Sequence, residues 1–128
     1  NKDLRQQKAK GAIYYAAPSI FVGMMDNNSM SKGATEILFT DLVSKGWQPK
    51  QVKMLLGESM KLYQGDTTVE AIAQRCKAYL KPDVLKDSMT TAFLVANDDG
   101  KFSPEEVGML EQFLEVIGMT ADQVLADS

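Results

Sequence analysis

The residues best suited to chemistry in this chain are carboxylates gathered around one glycine near its C-terminal end. The stretch ANDDGKFSPEE places Asp98 and Asp99 directly before Gly100, and Glu106 follows shortly after it. Carboxylate oxygens are hard ligands of the kind that Ca²⁺ and Mg²⁺ prefer. The pattern therefore predicts a divalent-cation site formed by Asp98, Asp99 and Glu106, with Asp26 from an earlier polar turn as a fourth ligand.

An EF-hand is the obvious comparison for an acidic loop that leads into a helix. With Gly100 at loop position six, Asp99 falls at position five and Glu106 at position twelve, which that loop accepts. Position one must carry a carboxylate, but it is occupied by Val95. A standard EF-hand is therefore excluded, and a cation site here would be of another kind.

The same residues also have a purely structural interpretation as the start of a helix. Ser103 is a favoured N-cap, Pro104 suits the first helical position, and Glu106 completes a capping box. Asp98 and Asp99 would favour the positive end of the helix dipole. This stretch carries four acids that repel one another, whereas capping needs only one or two, so a cation site stays open as the alternative. The sequence favours capping alone.

Composition excludes most other kinds of reaction. The chain has no histidine, so it lacks the commonest general base and every Ser-His or Cys-His nucleophile pair. Its single cysteine, Cys76, allows neither an internal disulfide nor a cysteine metal cluster. Cys76 is either a small buried residue or, beside Arg75 and Lys77, a reactive thiol. We expect no enzyme activity, with a carboxylate-dependent enzyme as the alternative, and a cytoplasmic location.

Charge is distributed unevenly along the chain. The formal net charge is −3, yet residues 97–128 carry eight acids and a single base, Lys101, while the rest of the chain is net positive. The basic residues are scattered without interleaved aromatics, so we expect no nucleic-acid binding. No apolar run reaches the roughly 18 residues that a transmembrane segment needs. Unlike charges at the two ends suit other proteins as partners, through basic surfaces or self-association.

An internal duplication predicts the elements that position these residues. Segments 17–52 and 89–124 align without a gap at an offset of 72 residues, with eight identical pairs in 36 positions, among them Asp26 with Asp98. Apolar residues follow the helical period throughout. The sequence thus predicts one all-α domain over residues 1–128, a bundle of about seven helices made of two pseudo-symmetric helix-turn-helix repeats.

Caps and helix breakers predict the boundaries and faces of these helices. Pro18 is expected to kink or split the first helix, and Thr67 with Glu70 to form a capping box at the start of the fourth. Val107 is expected on the buried face of the helix that follows the acidic turn, and Gly118 at the end of that helix.

The acidic turn and the helix after it, which ends in IGMT, resemble the TerB-like tellurite-resistance family. That family is similar in its two-copy arrangement, with an acidic D-G turn and a glutamate in the first turn of the next helix. Asp99 and Gly100 match the D-G pair, and Glu106 matches the glutamate. In the first copy, residues 26–28 read DNN in place of D-G, and Ala34 stands where the second copy has Glu106.

The resemblance implies a fold and a broad role, without an established reaction. It implies a helical bundle in which the two acidic turns lie close together and hold a divalent cation. It also implies a non-enzymatic interaction or sensing module of a bacterial stress response. The alternative is a structural domain of a longer protein, because the chain begins at Asn1 rather than at a methionine.

Overall fold

Seven α-helices joined by short connections make up the described part of the chain. A computed structural model describes residues 2–25, 30–65, 68–98, 100 and 103–125, with side chains from Lys10 onward. Every regular element in these ranges is helical, as the apolar spacing predicts. The helices are α1 (Lys2–Gly23), α2 (Lys32–Ser44), α3 (Pro49–Gln64), α4 (Val69–Tyr79), α5 (Pro82–Ala96), α6 (Pro104–Ile117) and α7 (Ala121–Leu125).

The second half of helix α1 lies at the centre of the bundle and is buried on almost every side. All residues from Tyr15 to Val22 are buried. The helix packs most extensively against α3 and α5, and it also contacts α2, α4 and α6. A helix enclosed by its neighbours needs apolar residues all round. The buried residues of α1 therefore form a continuous run from Tyr15 to Val22 rather than a one-sided stripe.

Pro18 lies inside α1 without splitting it, because the helix continues from Lys2 to Gly23. Proline has no N–H group, so the carbonyl of Tyr14 loses its usual helical donor. The thiol of Cys76, on α4, donates to this carbonyl at 3.2 Å. A neighbouring helix thus supplies the hydrogen bond that the proline removes.

The two carbonyls on either side of this position also receive donors from other helices. Ser88 on α5 donates its hydroxyl to the carbonyl of Tyr15 at 2.6 Å, and Ser59 on α3 donates to the carbonyl of Ile13. Ser59 and Ser88 are both fully buried. Three consecutive carbonyls of α1 are therefore each tied to a different surrounding helix.

The hydrophobic interior divides into two clusters that share α1. One joins α1 to α4, α5, α6 and α7, and the other joins it to α2 and α3. In the first cluster Phe21 meets Tyr63 and Phe113 edge to face, with ring centroids 5.2 and 5.9 Å apart. Edge-to-face pairs of this kind contribute about 1 kcal/mol each beyond the burial of their area.

The structure corrects two predictions about helix ends and faces. The N-cap of α4 is Thr68, whose hydroxyl accepts the N–H of Ala71, and Thr67 lies outside the described residues. Val107 is 38% exposed rather than buried, because the helices that pack on α6 leave its first turn partly uncovered. The buried face of α6 begins one turn later, at Leu110, and Gly118 ends the helix in the left-handed conformation.

Helices α2 and α6 begin in the same way in the two copies of the duplicated segment. Ser31 and Ser103, which occupy aligned positions, each accept an N–H from the third residue of the helix that follows. The pseudo-symmetry of segments 17–52 and 89–124 as whole units stays a prediction. Among the helices described, none combines the length and apolar character that crossing a membrane demands.

Candidate functional site

The acidic turn between α5 and α6 is closed by backbone hydrogen bonds. Asn97 ends α5 by donating its N–H to the carbonyl of Phe93, and the N–H of Gly100 donates to the carbonyl of Asn97 at 3.0 Å. Gly100 has a φ of +78°, a conformation that residues with a side chain rarely adopt. The turn therefore requires the glycine that the sequence places there.

Glu106 is engaged in the capping box predicted from the sequence. Its Oε1 accepts the N–H of Ser103 at 3.0 Å, and the hydroxyl of Ser103 accepts the N–H of Glu106 at 3.1 Å. These two bonds satisfy donors that the first turn of a helix otherwise leaves unpaired. The described contacts therefore show Glu106 in its predicted capping role at the start of α6.

Asp98 reaches across the bundle to the start of α2. Its Oδ2 accepts the hydroxyl of Ser31 at 2.8 Å, although the two residues lie 67 positions apart in the chain. Ser31 is the N-cap of α2, so the carboxylate lies at the positive end of that helix dipole, where negative charge is favourable. Asp98, in the turn after α5, thus stabilises the start of α2.

A glycine in the first turn of α2 makes room for this carboxylate. A Cβ atom added at Gly33 would overlap Oδ1 of Asp98 and lie 2.8 Å from Oδ2. No other residue type could leave Asp98 in this position. We call the set of Ser31, Gly33 and Asp98 the corner contact.

The predicted cation ligands are only partly within the described structure. Asp26 and Asp99 lie outside the described residues. Asp98 and Glu106 each have one carboxylate oxygen in the hydrogen bonds given above. Ca²⁺ takes six to eight oxygen ligands, and the described residues contain no group of three or more acidic or cysteine side chains that could hold a metal. The described carboxylates therefore fit helix capping, and a cation site would also need Asp26 and Asp99.

A second polar cluster, which the sequence analysis missed, joins three helices. Asp41 on α2 accepts the phenol hydroxyl of Tyr15 on α1, and its Oδ2 also accepts the hydroxyl of Thr91 on α5 at 3.2 Å. Lys45 pairs with the other oxygen at 3.2 Å and lies 5.5 Å from the centroid of the Tyr15 ring. The only feature of the sequence that could have indicated this cluster is Tyr15, a tyrosine within the most apolar part of α1.

This cluster holds helices together rather than supplying a reactive group. Burial, together with the hydrogen bond to Asp41, raises the pKa of the Tyr15 phenol far above its usual range. The phenol therefore stays protonated and acts as a donor, and Lys45 balances the carboxylate charge. Asp41 thereby ties α1, α2 and α5 together from a side chain that is 22% exposed.

Cys76 is a packing residue in the described structure. It is 1% exposed, and its thiol donates to the carbonyl of Tyr14. Burial raises the pKa of the thiol to about 12, so the thiolate that would act as a nucleophile is not formed near neutral pH. Of the two interpretations of this residue, the geometry supports the small buried one.

The fold and the corner contact define an all-α bundle in which two turn-to-helix corners meet. The chain belongs to the TerB tellurite-resistance family, because the family model described as "Tellurite resistance protein TerB" matches residues 16–126. This match confirms the resemblance seen at the acidic turn. Comparisons with curated proteins and with solved structures gave no match.

Proposed function

We propose that this domain is a non-enzymatic interaction module of a bacterial stress response of the tellurite-resistance kind. The match to the TerB family over residues 16–126 carries the proposal. Three of the described side chains that could react have structural roles: Cys76 is buried, Asp98 accepts the hydroxyl of Ser31, and Glu106 caps α6. The partners are other proteins, reached through charged surfaces. A cytoplasmic location is part of the proposal, since the lone cysteine points to a reducing compartment.

Survival on tellurite tests this role. Deleting the gene in its source bacterium should lower survival, and the wild-type gene should restore it. An Asp98→Asn, Glu106→Gln gene should restore survival equally, because amide oxygens still accept the capping hydrogen bonds. A deletion that leaves survival unchanged removes the stress-response role. Failure of the amide variant, with its fold intact by circular dichroism, would instead show that the negative charges act directly.

A second candidate function is divalent-cation binding at the acidic turn. The observation that favours it is the corner contact, since a carboxylate of the second turn lies at the start of the helix that follows the first turn. The ligands would be Asp26, Asp98, Asp99 and Glu106, through the oxygens left free by the capping bonds. A bound Ca²⁺ or Mg²⁺ would neutralise these carboxylates and hold the two corners together.

Calorimetric titration tests the cation site directly. Ca²⁺, Mg²⁺ and Zn²⁺ are titrated into the wild-type chain and into an Asp99→Asn, Glu106→Gln variant. We expect binding of Ca²⁺ or Mg²⁺ to the wild-type chain and its loss in the variant, with a matching rise in wild-type melting temperature. Equal binding by both proteins, or binding by neither, removes this function and leaves the capping role intact.

A further inference from the structure

Helix α3 presents an exposed face with positive charge around one apolar residue. Lys50, Lys53, Met54 and Gly57 follow the helical spacing and all lie at the surface. Met54 is 73% exposed, the most exposed large apolar side chain described. Lys50 and Lys53 have no ion-pair partner among the described residues. We call these four residues the α3 face.

Helix α6 presents a face of the opposite charge. Glu111 and Glu115 are exposed and lie one turn apart, with Gly108 and the half-exposed Val107 one turn before them. Residues 103–125 carry five acids and no base. Like charges at this spacing repel each other unless a positive group faces them. We call Val107, Gly108, Glu111 and Glu115 the α6 face.

The two faces carry opposite charges. Each also has one exposed apolar side chain and a glycine that lets another helix come close. Each places an exposed apolar side chain beside two like charges, the arrangement of an apolar centre with a charged rim. A Cβ added at Gly57 or at Gly108 would meet no atom within 4 Å, so another helix can come close to either backbone. Helix α3 packs on α1 and α2, whereas α6 packs on α4, α5 and α1. Neither face is covered by the other within one molecule.

We propose that the α3 face of one molecule docks on the α6 face of a second copy, so that chains associate head to tail. Lys50 and Lys53 then lie against Glu111 and Glu115, and Met54 contacts Val107. Because the two faces differ, a pair of molecules joined by one such contact keeps one α3 face and one α6 face free, and these can bind further copies. This inference rests on the interaction role proposed above and names one partner for it.

Concentration and salt test the association itself. Sedimentation velocity on the full chain should show a mass above 14.1 kDa that grows with protein concentration. The effect should be strong at about 0.01 M salt, where charges act over about 30 Å, and weak at about 1 M, where they act over about 3 Å. A chain that stays monomeric at every concentration in low salt overturns the proposal. The survival test of the proposed function is unaffected by that outcome.

Charge reversal tests which faces meet. Two double variants are compared, one with Lys50→Glu and Lys53→Glu, the other with Glu111→Lys and Glu115→Lys. Each should be monomeric, because each carries the same charge on both faces. An equal mixture of the two variants should associate again, since every contact in it pairs opposite charges. Circular dichroism confirms that each variant is folded, as expected for exposed positions. A mixture that remains monomeric overturns the proposal.

A matched control separates specific docking from general attraction. Arg75→Glu, Lys77→Glu on α4 changes the net charge by the same amount at two exposed positions outside the α3 face. This variant should associate like the wild-type chain, and Met54→Ser should weaken association about tenfold through lost apolar contact. If the α4 variant is as monomeric as the α3 variant, net charge governs association and the docking proposal fails.

Discussion

At the scale of single residues, Gly33 leaves the space in which the Asp98 carboxylate lies. Glycine inside a helix costs about 1 kcal/mol relative to alanine. At Gly33 that cost is offset, because the missing side chain leaves space for the Asp98 carboxylate and its hydrogen bond to Ser31. Asp98 is exposed, so the carboxylate can move away if that space is filled.

Alanine substitutions at two helical glycines should therefore differ. Gly57→Ala in α3 meets open space, and we expect it to raise the free energy of unfolding by about 0.5–1 kcal/mol. Gly33→Ala should gain less, or lose stability, because Asp98 must give up its bond with Ser31, worth about 1 kcal/mol. Urea denaturation measures both. In an Asp98→Ala background the two substitutions should become equivalent, and equivalence already in the wild-type chain would contradict the argument.

The buried thiol of Cys76 makes stability depend on pH in the alkaline range. Its pKa rises from 9.0 to about 12 on folding, so the unfolded chain loses this proton first as the pH increases. The stabilisation linked to the neutral thiol is complete below pH 9 and is lost as the pH rises toward 12.

A serine at this position isolates the effect. Cys76→Ser keeps a donor for the Tyr14 carbonyl but does not titrate in this range. The difference in unfolding free energy between the wild-type chain and this variant should be constant up to about pH 8.5. Above pH 9 it should fall by about 1.4 kcal/mol per pH unit. Parallel stability curves from pH 7 to pH 11 would show that the thiol ionises equally in both states.

At the scale of elements, the hydrogen bonds received by α1 explain how a proline is tolerated at the centre of the bundle. The carbonyls of Ile13, Tyr14 and Tyr15 accept side-chain donors from α3, α4 and α5. A backbone acceptor left unpaired in a buried helix costs about 1–3 kcal/mol. The surrounding helices are thus held in register along α1 by polar bonds as well as by packing.

Removing one of these donors should cost more than removing a surface hydroxyl of the same type. We expect Ser88→Ala to lower the free energy of unfolding by about 1–2 kcal/mol, because the bond to the Tyr15 carbonyl is buried. Ser44→Ala removes an exposed hydroxyl bond to a backbone carbonyl and should change stability by less than about 0.5 kcal/mol. Thermal and urea unfolding provide the comparison. Equal effects would mean that the α1 contacts contribute no more than a helix-end bond.

Helix number and most helix ends could be predicted because the signals are local. Pro104 begins a helix where expected, and Ser103 forms the expected capping box with Glu106. What could not be predicted depends on the neighbours. The exposure of Val107 depends on how far other helices extend over α6, and the spacing of apolar residues carries no information about that length.

At the scale of the whole molecule, the two aligned segments 17–52 and 89–124 differ at a buried polar position. Thr91 and Ser19 align, yet Thr91 donates to Asp41 whereas the Ser19 hydroxyl has no hydrogen-bond partner among the described residues. The residue that aligns with Asp41 is Phe113, which offers no acceptor. Thr91 and Asp41 therefore form a polar link between helices, whereas at the aligned positions the buried aromatic residue Phe113 offers Ser19 no such acceptor.

Substitutions at these aligned positions should therefore have opposite signs. Ser19→Ala removes an unsatisfied buried hydroxyl, and we expect it to raise the free energy of unfolding by about 0.5–1 kcal/mol. Thr91→Val has nearly the same shape but removes the bond to Asp41, and it should lower stability by about 1–2 kcal/mol. Urea denaturation of both variants measures these changes in the free energy of unfolding. A loss of stability for Ser19→Ala would indicate that its hydroxyl does have a partner.

The candidate site was predictable in composition but not in its contacts. The acidic turn and its capping role follow from adjacent residues, whereas the bond between Asp98 and Ser31 depends on how two distant turns pack. The Asp41 cluster was missed for the same reason, since its members come from three helices. Long-range polar contacts leave no periodic signal in a single sequence.

The packing of α1 against α5 affects the nascent chain during its synthesis on the ribosome. The apolar surface of α1 is made early, but its main partners in the second half are synthesised some seventy residues later. At translation rates of about 5–20 residues per second, that surface waits several seconds before α5 arrives. Until α5 is made, the apolar face of α1 that it will cover is exposed to water and open to aggregation.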